Sequence, residues 1–238
     1  RDLPEDERLR WYATNFGAVE LDTTFYRVPS PRTADRWAQR TPEDFRFAVK
    51  ASRYLTHIRR LRDPAEPLER MFHVLGRLGE RLGPLIVQLP PNAPIDLAAL
   101  ADTLRITDAM RWPVAVEPRH PSWFTTRYFD LLRTYGATSV WTDWWGHTGP
   151  HQRTASWCYV RLHAGRAHPD GAYGDRALHR WAERLAAAYA DHAQMYVMFN
   201  NDAHGCAPRN AARFAELAHA EELPTSRAPN AGLIPLVA

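Results

Sequence analysis

The sequence predicts an α/β fold, arranged as a TIM-barrel-like (β/α) barrel, and three observations support this. Seven short segments rich in β-branched and aromatic residues recur along the 238-residue chain, most of them separated by a helical pattern. Each segment alternates apolar and polar positions, which gives a strand one apolar face. Each also carries a polar or charged residue at its carboxyl-terminal end. Strands and helices that alternate in this way are typical of βαβ units around a parallel sheet.

The predicted strands are residues 18–22, 45–50, 84–89, 113–117, 138–143, 157–163 and 195–200. Ser30 followed by Pro31 indicates the start of a helix over residues 32–39, and Asp96 can cap a helix that continues through Leu104. An Ala-rich helix is predicted over residues 208–220. We expect residues 1–222 to form a single barrel domain. Residues 223–238 contain Pro, Ser, Asn and Gly without periodicity, which predicts an extended tail.

Polar residues at the ends of seven strands favour a barrel over a doubly wound sheet. Each would be costly to bury separately, whereas a barrel lets all of them converge on one wet pocket. A doubly wound sheet concentrates its ligands at one switch point instead. The sequence also lacks a Gly-x-Gly-x-x-Gly or Walker-type loop.

Composition indicates a globular cytoplasmic protein. The hydrophobic fraction of 45% supports a large core. No apolar run approaches the roughly 18 to 20 residues of a membrane span, and the first residues lack a signal-peptide core. Cys158 and Cys206 are too few for a disulfide framework or a metal knuckle. The net charge is +3. The one dense basic cluster, Arg59-Arg60-Leu61-Arg62, could contact the phosphates of a nucleic acid, although such a run is more often a solvated loop.

Lys50 is the only lysine among the 30 Lys and Arg residues. Arginine stays protonated in proteins, whereas a desolvated lysine can lose its proton and act as a base or nucleophile. A lone lysine can also be an accident of composition, but Lys50 ends a predicted strand at the expected mouth of the barrel. We therefore take it as the first candidate for chemistry. We expect it to act as a charged clamp beside Glu117 or Asp143.

The other candidates follow from the same alternation along the strands, which also places Trp141 on the polar face with Asp143. The residues predicted to be catalytic are Lys50, Glu117, Asp143 and His163. The residues predicted to bind substrate are Glu20, Asp22, His57, Gln88, Arg119, His120, Arg161, Asn200, Asn201 and Asp202. A network of ion pairs that ties the strand ends together is the competing interpretation.

Three classes of function fit these residues. The first is an enzyme or binder acting on a small anionic ligand, a carboxylate or phosphate, with arginines as a clamp and Lys50 or His163 as a base. The second is metal-assisted hydrolysis of a phosphodiester or nucleic acid. The third is a non-catalytic ligand-binding or interaction module. We predict no metal and no cofactor, because the cations among the acids would repel a divalent ion.

Several motifs, in order along the chain, carry a family resemblance. They are Glu20-Leu-Asp-Thr-Thr-Phe-Tyr-Arg27, Phe45-Arg-Phe-Ala-Val-Lys50, Thr56-His57, Gln88-Leu-Pro-Pro91, Glu117-Pro-Arg-His-Pro-Ser-Trp123, Tyr159-Val-Arg-Leu-His163 and Phe199-Asn-Asn-Asp-Ala-His-Gly205. With these motifs, from about Leu9 to about Leu217, the sequence resembles the YecE-like family, domain of unknown function 72.

The resemblance implies a TIM-barrel-like fold and no particular activity. The sequence departs from the family pattern in two places. Family members usually open with a Gly-rich strand ahead of the helix that matches Asp6 to Thr14, so we expect the first strand of the barrel to be missing from this chain. A barrel without it would expose an unpaired edge. Members also commonly carry Asn at the position of Asp22, where this chain adds a charge.

Overall fold

The computed structural model describes residues 3–144, 149–164, 171–190 and 193–233. Strands and helices alternate along these residues, which confirms the α/β class. The chain divides into two compact units, Arg1–Ser139 and Val140–Ala238. Each unit has its own parallel sheet and its own apolar core. Within the described ranges, no helix is both long and apolar enough to cross a membrane.

The first unit is built from a five-stranded sheet in the order β1-β2-β3-β4-β5, with every neighbouring pair parallel. The carboxyl ends of its strands therefore lie along one edge. Its elements are α1 (Glu5–Asn15), β1 (Ala18–Leu21), α2 (Pro31–Arg40), β2 (Arg46–Lys50), α3 (Ala65–Leu75), β3 (Leu82–Leu89), α4 (Leu97–Ala109), β4 (Val114–Pro118), α5 (Thr126–Thr134) and β5 (Thr138–Ser139).

The second unit contains a three-stranded parallel sheet in the order β6-β7-β8. Its elements are β6 (Trp141–Thr142), β7 (Cys158–Leu162), α6 (Asp175–Ala188), β8 (Met195–Phe199) and α7 (Cys206–Ala220). Residues 223–230 contain no helix or strand, a 3-10 turn covers Ala231–Leu233, and the Ala231 backbone N–H donates to the Glu216 carboxylate at 3.2 Å. Closure of the strands into one barrel, and the division into a domain at 1–222 and a tail at 223–238, stay predictions.

The predicted helix starts are confirmed. The Ser30 hydroxyl accepts a hydrogen bond from the backbone N–H of Thr33, directly ahead of Pro31 at the first helical position. The Asp96 carboxylate accepts from the backbone N–H of Ala99 in the same way. Each cap satisfies a donor that the helix cannot satisfy itself, so these short polar residues define where α2 and α4 begin.

Alternation along β2, β3 and β4 separates two faces of the sheet as predicted. One face packs into the core of the first unit through Phe47, Val49, Leu85, Val87, Leu89, Val114 and Val116. The alternate positions Ala48, Ile86 and Ala115 are also buried, but they do not belong to that core cluster. Lys50 pairs in register with Ile86, and Gln88 pairs with Glu117. The polar strand ends therefore share the face that points away from the helix-covered core.

The segment predicted as one strand over 138–143 differs from the prediction. It forms two short strands, β5 and β6, which belong to different sheets and are interrupted at Val140. The prediction that Trp141 lies on the polar face is wrong, because Trp141 pairs in register with Val160 and belongs to the core of the second unit. Its indole stacks on His151 with ring centroids 5.1 Å apart. The free energy gained by burying the large Trp141 ring decides which face it occupies, and the alternation of the preceding strand does not continue through this segment.

Gly83 in β3 permits a close approach of two strands. A Cβ at this position would meet the Phe47 carbonyl oxygen at 2.9 Å, whereas a Cβ at Gly76 would meet only the Phe72 ring, at 3.9 Å. We expect Gly83→Ala to lower the free energy of unfolding by ~1–3 kcal/mol through overpacking. Gly76→Ala, the matched control, should leave it unchanged or raise it slightly. Urea unfolding measures both, and equal effects in the two variants would contradict this account.

Candidate functional site

The carboxyl-terminal edge of the first unit's sheet gathers several of the predicted residues. Glu20 lies in β1, Lys50 ends β2, and Gln88 and Glu117 are in-register partners on β3 and β4. The Gln88 and Glu117 residues are buried, and Glu20 is half-buried. Parallel pairing thus places two buried polar side chains next to each other on neighbouring strands.

Lys50 forms an ion pair with Asp22. Its Nζ lies 2.9 Å from the Asp22 Oδ1, and the side chains are 16% and 52% exposed, respectively. The lysine ammonium also lies 5.0 Å from the centre of the Phe25 ring. We expected Glu117 or Asp143 as the acidic neighbour, but β3 stands between β2 and β4, whereas Asp22 directly follows the adjacent strand β1. The residue that departs from the family pattern is therefore the partner of the only lysine.

A 3-10 turn over Asp22–Phe25 holds this pair in place. The Thr24 hydroxyl lies within hydrogen-bonding distance of the Lys50 backbone oxygen, at 2.7 Å, and of the Leu21 backbone oxygen, at 2.6 Å. Thr24 is fully buried. The turn is therefore tied to the end of β2, so that Asp22, Phe25 and Lys50 have a fixed relative position.

Glu117 and Arg119 form a second ion pair at this edge, with the arginine Nε 3.3 Å from the Glu117 Oε1. The Glu117 side chain is 2% exposed and the Arg119 side chain 17%. Loss of one partner of such a buried pair leaves an uncompensated charge and costs ~3–5 kcal/mol. Arg119 is therefore held to the sheet by its own buried counter-ion.

His57 lies in a π-helical turn, Tyr54–Ile58, that follows β2. The ring is half-buried, its Nδ1 is 2.9 Å from the Thr56 hydroxyl, and it packs edge-on against Phe25 with centroids 4.9 Å apart. Burial lowers the pKa of His57, and the positive charges of Lys50, Arg119 and Arg53 lower it further. The result is a neutral imidazole in a field of positive charge. Single π-helical turns of this kind are frequent at functional sites.

His120 contributes to the adjoining loop. Its ring nitrogen Nδ1 accepts from the Ser122 backbone N–H at 3.2 Å and lies 2.8 Å from the Ser122 hydroxyl. The same hydroxyl accepts from the Ile95 backbone N–H at 2.9 Å. His120 therefore caps the turn over Pro121–Trp123. Its assignment as a substrate-binding residue stays a prediction.

A separate polar cluster lies at the carboxyl ends of the strands in the second unit. The Asp143 carboxylate accepts hydrogen bonds from the backbone N–H of His163, at 2.8 Å, and from the Tyr173 hydroxyl. Burial raises the pKa of Tyr173, and the hydrogen bond to Asp143 raises it further. Tyr173 thus remains a donor, and it fixes the carboxylate beside β6 and β7. Arg161 of β7 is buried in the same unit.

Asparagines complete this second cluster. The Asn210 side chain exchanges two hydrogen bonds, both 3.0 Å long, with the backbone of Tyr173. The Asn201 Nδ2 donates to the Asn210 Oδ1 at 2.8 Å and to the Gly171 backbone oxygen at 2.6 Å. Among the described residues, the buried Oδ1 atoms of Asn200 and Asn201 have no hydrogen-bond partner. Asp202, by contrast, is exposed.

The sequence did not point to four residues that take part in these clusters. Phe25 contacts the His57 ring, and the positive charge of Arg53 lowers the pKa of His57. The sequence could have indicated both residues, because Phe25 lies in the motif from Glu20 to Arg27 and Arg53 follows Lys50 by three positions. Tyr173 and Asn210 are 37 residues apart. No spacing pattern connects them, and only the fold brings them together.

The structure therefore brings the predicted residues together in two groups. The first unit assembles Asp22, Lys50, His57, Glu117 and Arg119, while the second assembles Asp143, His163 and Asn201. That all of them line one cavity stays a prediction. Within the ranges that the structure describes, no three His, Cys, Asp or Glu side chains form a cluster that could hold a metal ion.

The low pKa of His57 can be tested in the protein without ligand. Because nearby positive charges disfavour the imidazolium, Lys50→Met should raise the pKa of His57, whereas Arg77→Met, which removes a cation from the exposed pair with Asp35, should not. Histidine NMR titration, with His57→Gln for assignment, measures this. An unchanged pKa in Lys50→Met would show that Lys50 does not act on His57.

Stability should respond to pH in the direction that this shift implies. The pKa of His57 is lower in the folded chain than the 6.5 of a free histidine. As pH falls below 6.5, the unfolded chain therefore binds the proton first, and stability is lost until the pH has passed the lowered pKa. We expect His57→Gln to reduce this loss when unfolding is measured across that range. The same loss in His57→Gln and in the unsubstituted protein would argue against a His57 contribution.

Comparison with known proteins gives one consistent family. Residues 1–232 match the model of the family described as "Protein of unknown function DUF72". The UPF0759 protein YunF of Bacillus subtilis is 24% identical over an alignment of 250 residues, gaps included, that covers 89% of this chain and 86% of YunF. The UPF0759 protein YecE of Escherichia coli K12 is 33% identical over 117 residues, which is 49% of this chain and 43% of YecE.

Solved structures show the same fold. The crystal structure of a DUF72 family protein from Enterococcus faecalis V583 superposes with a TM-score of 0.76 at 20% identity, covering 90% of this chain and 94% of the other. A DUF72 family protein from Thermotoga maritima MSB8 gives a TM-score of 0.73 at 26% identity, covering 92% and 91% of the two chains. The family match spans nearly the whole sequence, and the chain therefore belongs to the DUF72 family.

Proposed function

We propose that the carboxyl-terminal edge of the first unit's sheet binds a small anionic ligand, a carboxylate or a phosphate. The observation that carries this proposal is the Lys50 ammonium, which lies 2.9 Å from the half-exposed Asp22 and 5.0 Å from the centre of the Phe25 ring that also contacts His57. Lys50, Arg119 and Arg53 lower the pKa of His57 through their positive charges. Positive charges that lower the pKa of a histidine also attract an anion to the same place. Ammonium and guanidinium groups form their strongest hydrogen bonds with carboxylate and phosphate oxygens.

The two ion pairs at this edge have different roles in the proposal. Glu117 is almost fully buried, so it remains with Arg119 and orients the guanidinium. Asp22 is 52% exposed, and its pair with Lys50 is partly open to solvent. Because more than half of the Asp22 side chain is exposed, its carboxylate can turn to solvent while an incoming anion takes its place as the partner of the largely buried Lys50. Lys50 then acts as a charged clamp on the ligand.

His57 is the group in this site best suited to accept a proton. Its lowered pKa keeps the imidazole neutral at physiological pH, whereas Lys50 is engaged in an ion pair. If the protein is an enzyme, we assign His57 the role of general base in the first unit, with Lys50 and Arg119 stabilising negative charge. The prediction from the sequence had instead named Lys50 or His163 as the base.

Metal-assisted hydrolysis of a phosphodiester is the competing function. Within the described residues it has no support from a cluster of metal-ligating side chains. Elemental analysis of the purified protein addresses it directly. Stoichiometric zinc, manganese or iron would move this alternative ahead of the small-anion proposal.

Two substitutions at the exposed ion pair should change anion affinity in opposite directions. Lys50→Met removes the clamp and should weaken the binding of inorganic phosphate by ~1.5–3 kcal/mol, the contribution of a charged hydrogen bond. Asp22→Asn removes the competing carboxylate and should strengthen binding severalfold. Phosphate titrations followed by the NMR signal of His57 measure both, since a bound anion should raise the pKa of His57.

The control for these titrations is Arg77→Met, because Arg77 and Asp35 form an exposed ion pair in the same unit with a distance of 2.7 Å. This variant should bind phosphate like the unsubstituted protein. If Lys50→Met and Arg77→Met behave alike, with both folds intact by circular dichroism, the site does not bind anions through Lys50. A separate titration with acetate in place of phosphate shows whether the site prefers a carboxylate or a phosphate.

A further inference from the structure

A second feature of the first unit is a basic groove beside the anion site. It lies between the turn at Asp22–Phe25 and the π-helical turn Tyr54–Ile58, and it encloses about 510 Å³. This is within the ~300–1,000 Å³ typical of ligand pockets. Its lining includes Arg27, Arg53 and Arg70 and contains no carboxylate. The three arginines come from three separate segments of the chain, so positive charge lines the groove from several directions.

Exposed apolar groups also line this groove. Tyr26 is 81% exposed and Ile58 is 61% exposed, and both belong to its lining. The Tyr26 ring packs edge-on against Phe25 with centroids 5.0 Å apart. Phe25 in turn contacts His57, so the Tyr26 ring rests on an ordered part of the site. An aromatic ring that is anchored by such a contact and is otherwise exposed to solvent can stack on a planar ligand.

The basic segment Arg59 to Arg62 continues from the groove in a strained conformation. Arg60, Leu61 and Asp63 all have positive φ values, 51°, 68° and 48°, which are unfavourable for residues other than glycine. Leu61 is buried, and its N–H donates to the Leu55 backbone oxygen at 2.9 Å. The buried Leu61 thus fixes the backbone of residues 59–62, and the exposed arginines of this segment lie next to the groove. Strain retained in this way is typical of ligand-binding segments.

Two groove-side arginines already have acidic neighbours. Arg70 lies 3.4 Å from Glu66, with side chains 57% and 67% exposed. Arg59 lies 2.8 Å from Asp63, and its guanidinium also stacks over the Tyr54 ring at 5.1 Å. Exposed pairs of this kind contribute little, so phosphate groups can displace the carboxylates. The guanidinium of Arg59 remains oriented by the tyrosine.

We propose that this groove binds single-stranded nucleic acid. Arginines along the groove and on the adjoining segment 59–62 would contact successive phosphates, and Tyr26 would stack on a base. Aromatic platforms interleaved with a basic track are the way in which proteins bind single strands without reading their sequence. Several arginines in succession favour a polyanion over a single phosphate. The sequence pI of about 9.0 also favours the binding of a polyanion, because the chain is positively charged at neutral pH.

The test uses the full chain and a fluorescein-labelled oligothymidylate of about twelve nucleotides, followed by anisotropy at several salt concentrations. Tyr26→Ala should weaken binding about tenfold, the effect of losing one stacked base. Arg70→Ala should reduce the slope of log affinity against log salt by about 0.7, which corresponds to one lost phosphate contact. Arg53 is left unchanged, because it also faces His57 and the small-anion site.

Matched controls come from the same unit outside the groove. Trp11→Ala removes an aromatic side chain that is 52% exposed, and Arg105→Ala removes an arginine paired with Asp102 at 3.7 Å, much as Arg70 is paired with Glu66. Neither control should alter binding. Equal losses in the controls and the groove variants, or no binding of the oligonucleotide at low salt, would overturn the proposal.

Two competitors distinguish a nucleic-acid strand from simpler ligands. Inorganic polyphosphate carries the charge without bases, and ADP carries a base without a strand. We expect polyphosphate and ADP to displace the labelled oligonucleotide much less effectively than unlabelled oligothymidylate does. Equal competition by polyphosphate or by ADP would overturn it. If Arg70→Ala fails to fold, as judged by circular dichroism, Arg27→Ala takes its place.

Discussion

Parallel pairing of β1 to β4 brings the carboxyl ends of these strands to one edge, and the candidate site depends on this arrangement. The apolar face of each strand packs in the core beneath the helices, through residues such as Val49, Val87 and Val116. Side chains at the alternate positions must then face the other way. Lys50, Gln88 and Glu117 consequently occupy that other face at the ends of neighbouring strands, where their polar groups can pair.

The charges at this edge differ in how firmly they are held. Glu117 and Arg119 form a buried pair that the protein cannot open without a large penalty. Lys50 and Asp22 form a pair in which the carboxylate is 52% exposed. In the function that we propose, the first pair orients Arg119 as a fixed donor, and the second occupies the only lysine until an anion replaces Asp22.

Much of this arrangement follows from local rules that act within a few residues. The caps at Ser30 and Asp96 and the alternation that ends at Lys50 and Glu117 are of this kind, and the structure has them as predicted. The pairing of Lys50 with Asp22 required knowledge of which strands are neighbours. The prediction for Trp141 was wrong because the break at Val140 changes which face the chain presents.

Contacts between distant segments account for the rest. The bonds from Asn210 to the Tyr173 backbone join an irregular stretch to a helix, and neither partner has a local signature. The π-helical turn that carries His57 and the positive φ values that follow it are likewise set by tertiary packing. Such features depend on buried anchors such as Leu61, whose role becomes visible only in the folded chain.

The central claim, that this edge binds an anion between Lys50 and Arg119, is tested most directly by crystals soaked in selenate. Selenium scatters anomalously, so a bound tetrahedral anion can be located without ambiguity. The account predicts an anomalous peak within hydrogen-bonding distance of the Lys50 ammonium and beside His57, with Asp22 displaced from Lys50. Selenate bound only at exposed arginines such as Arg77, with the Asp22 to Lys50 pair intact, would contradict it.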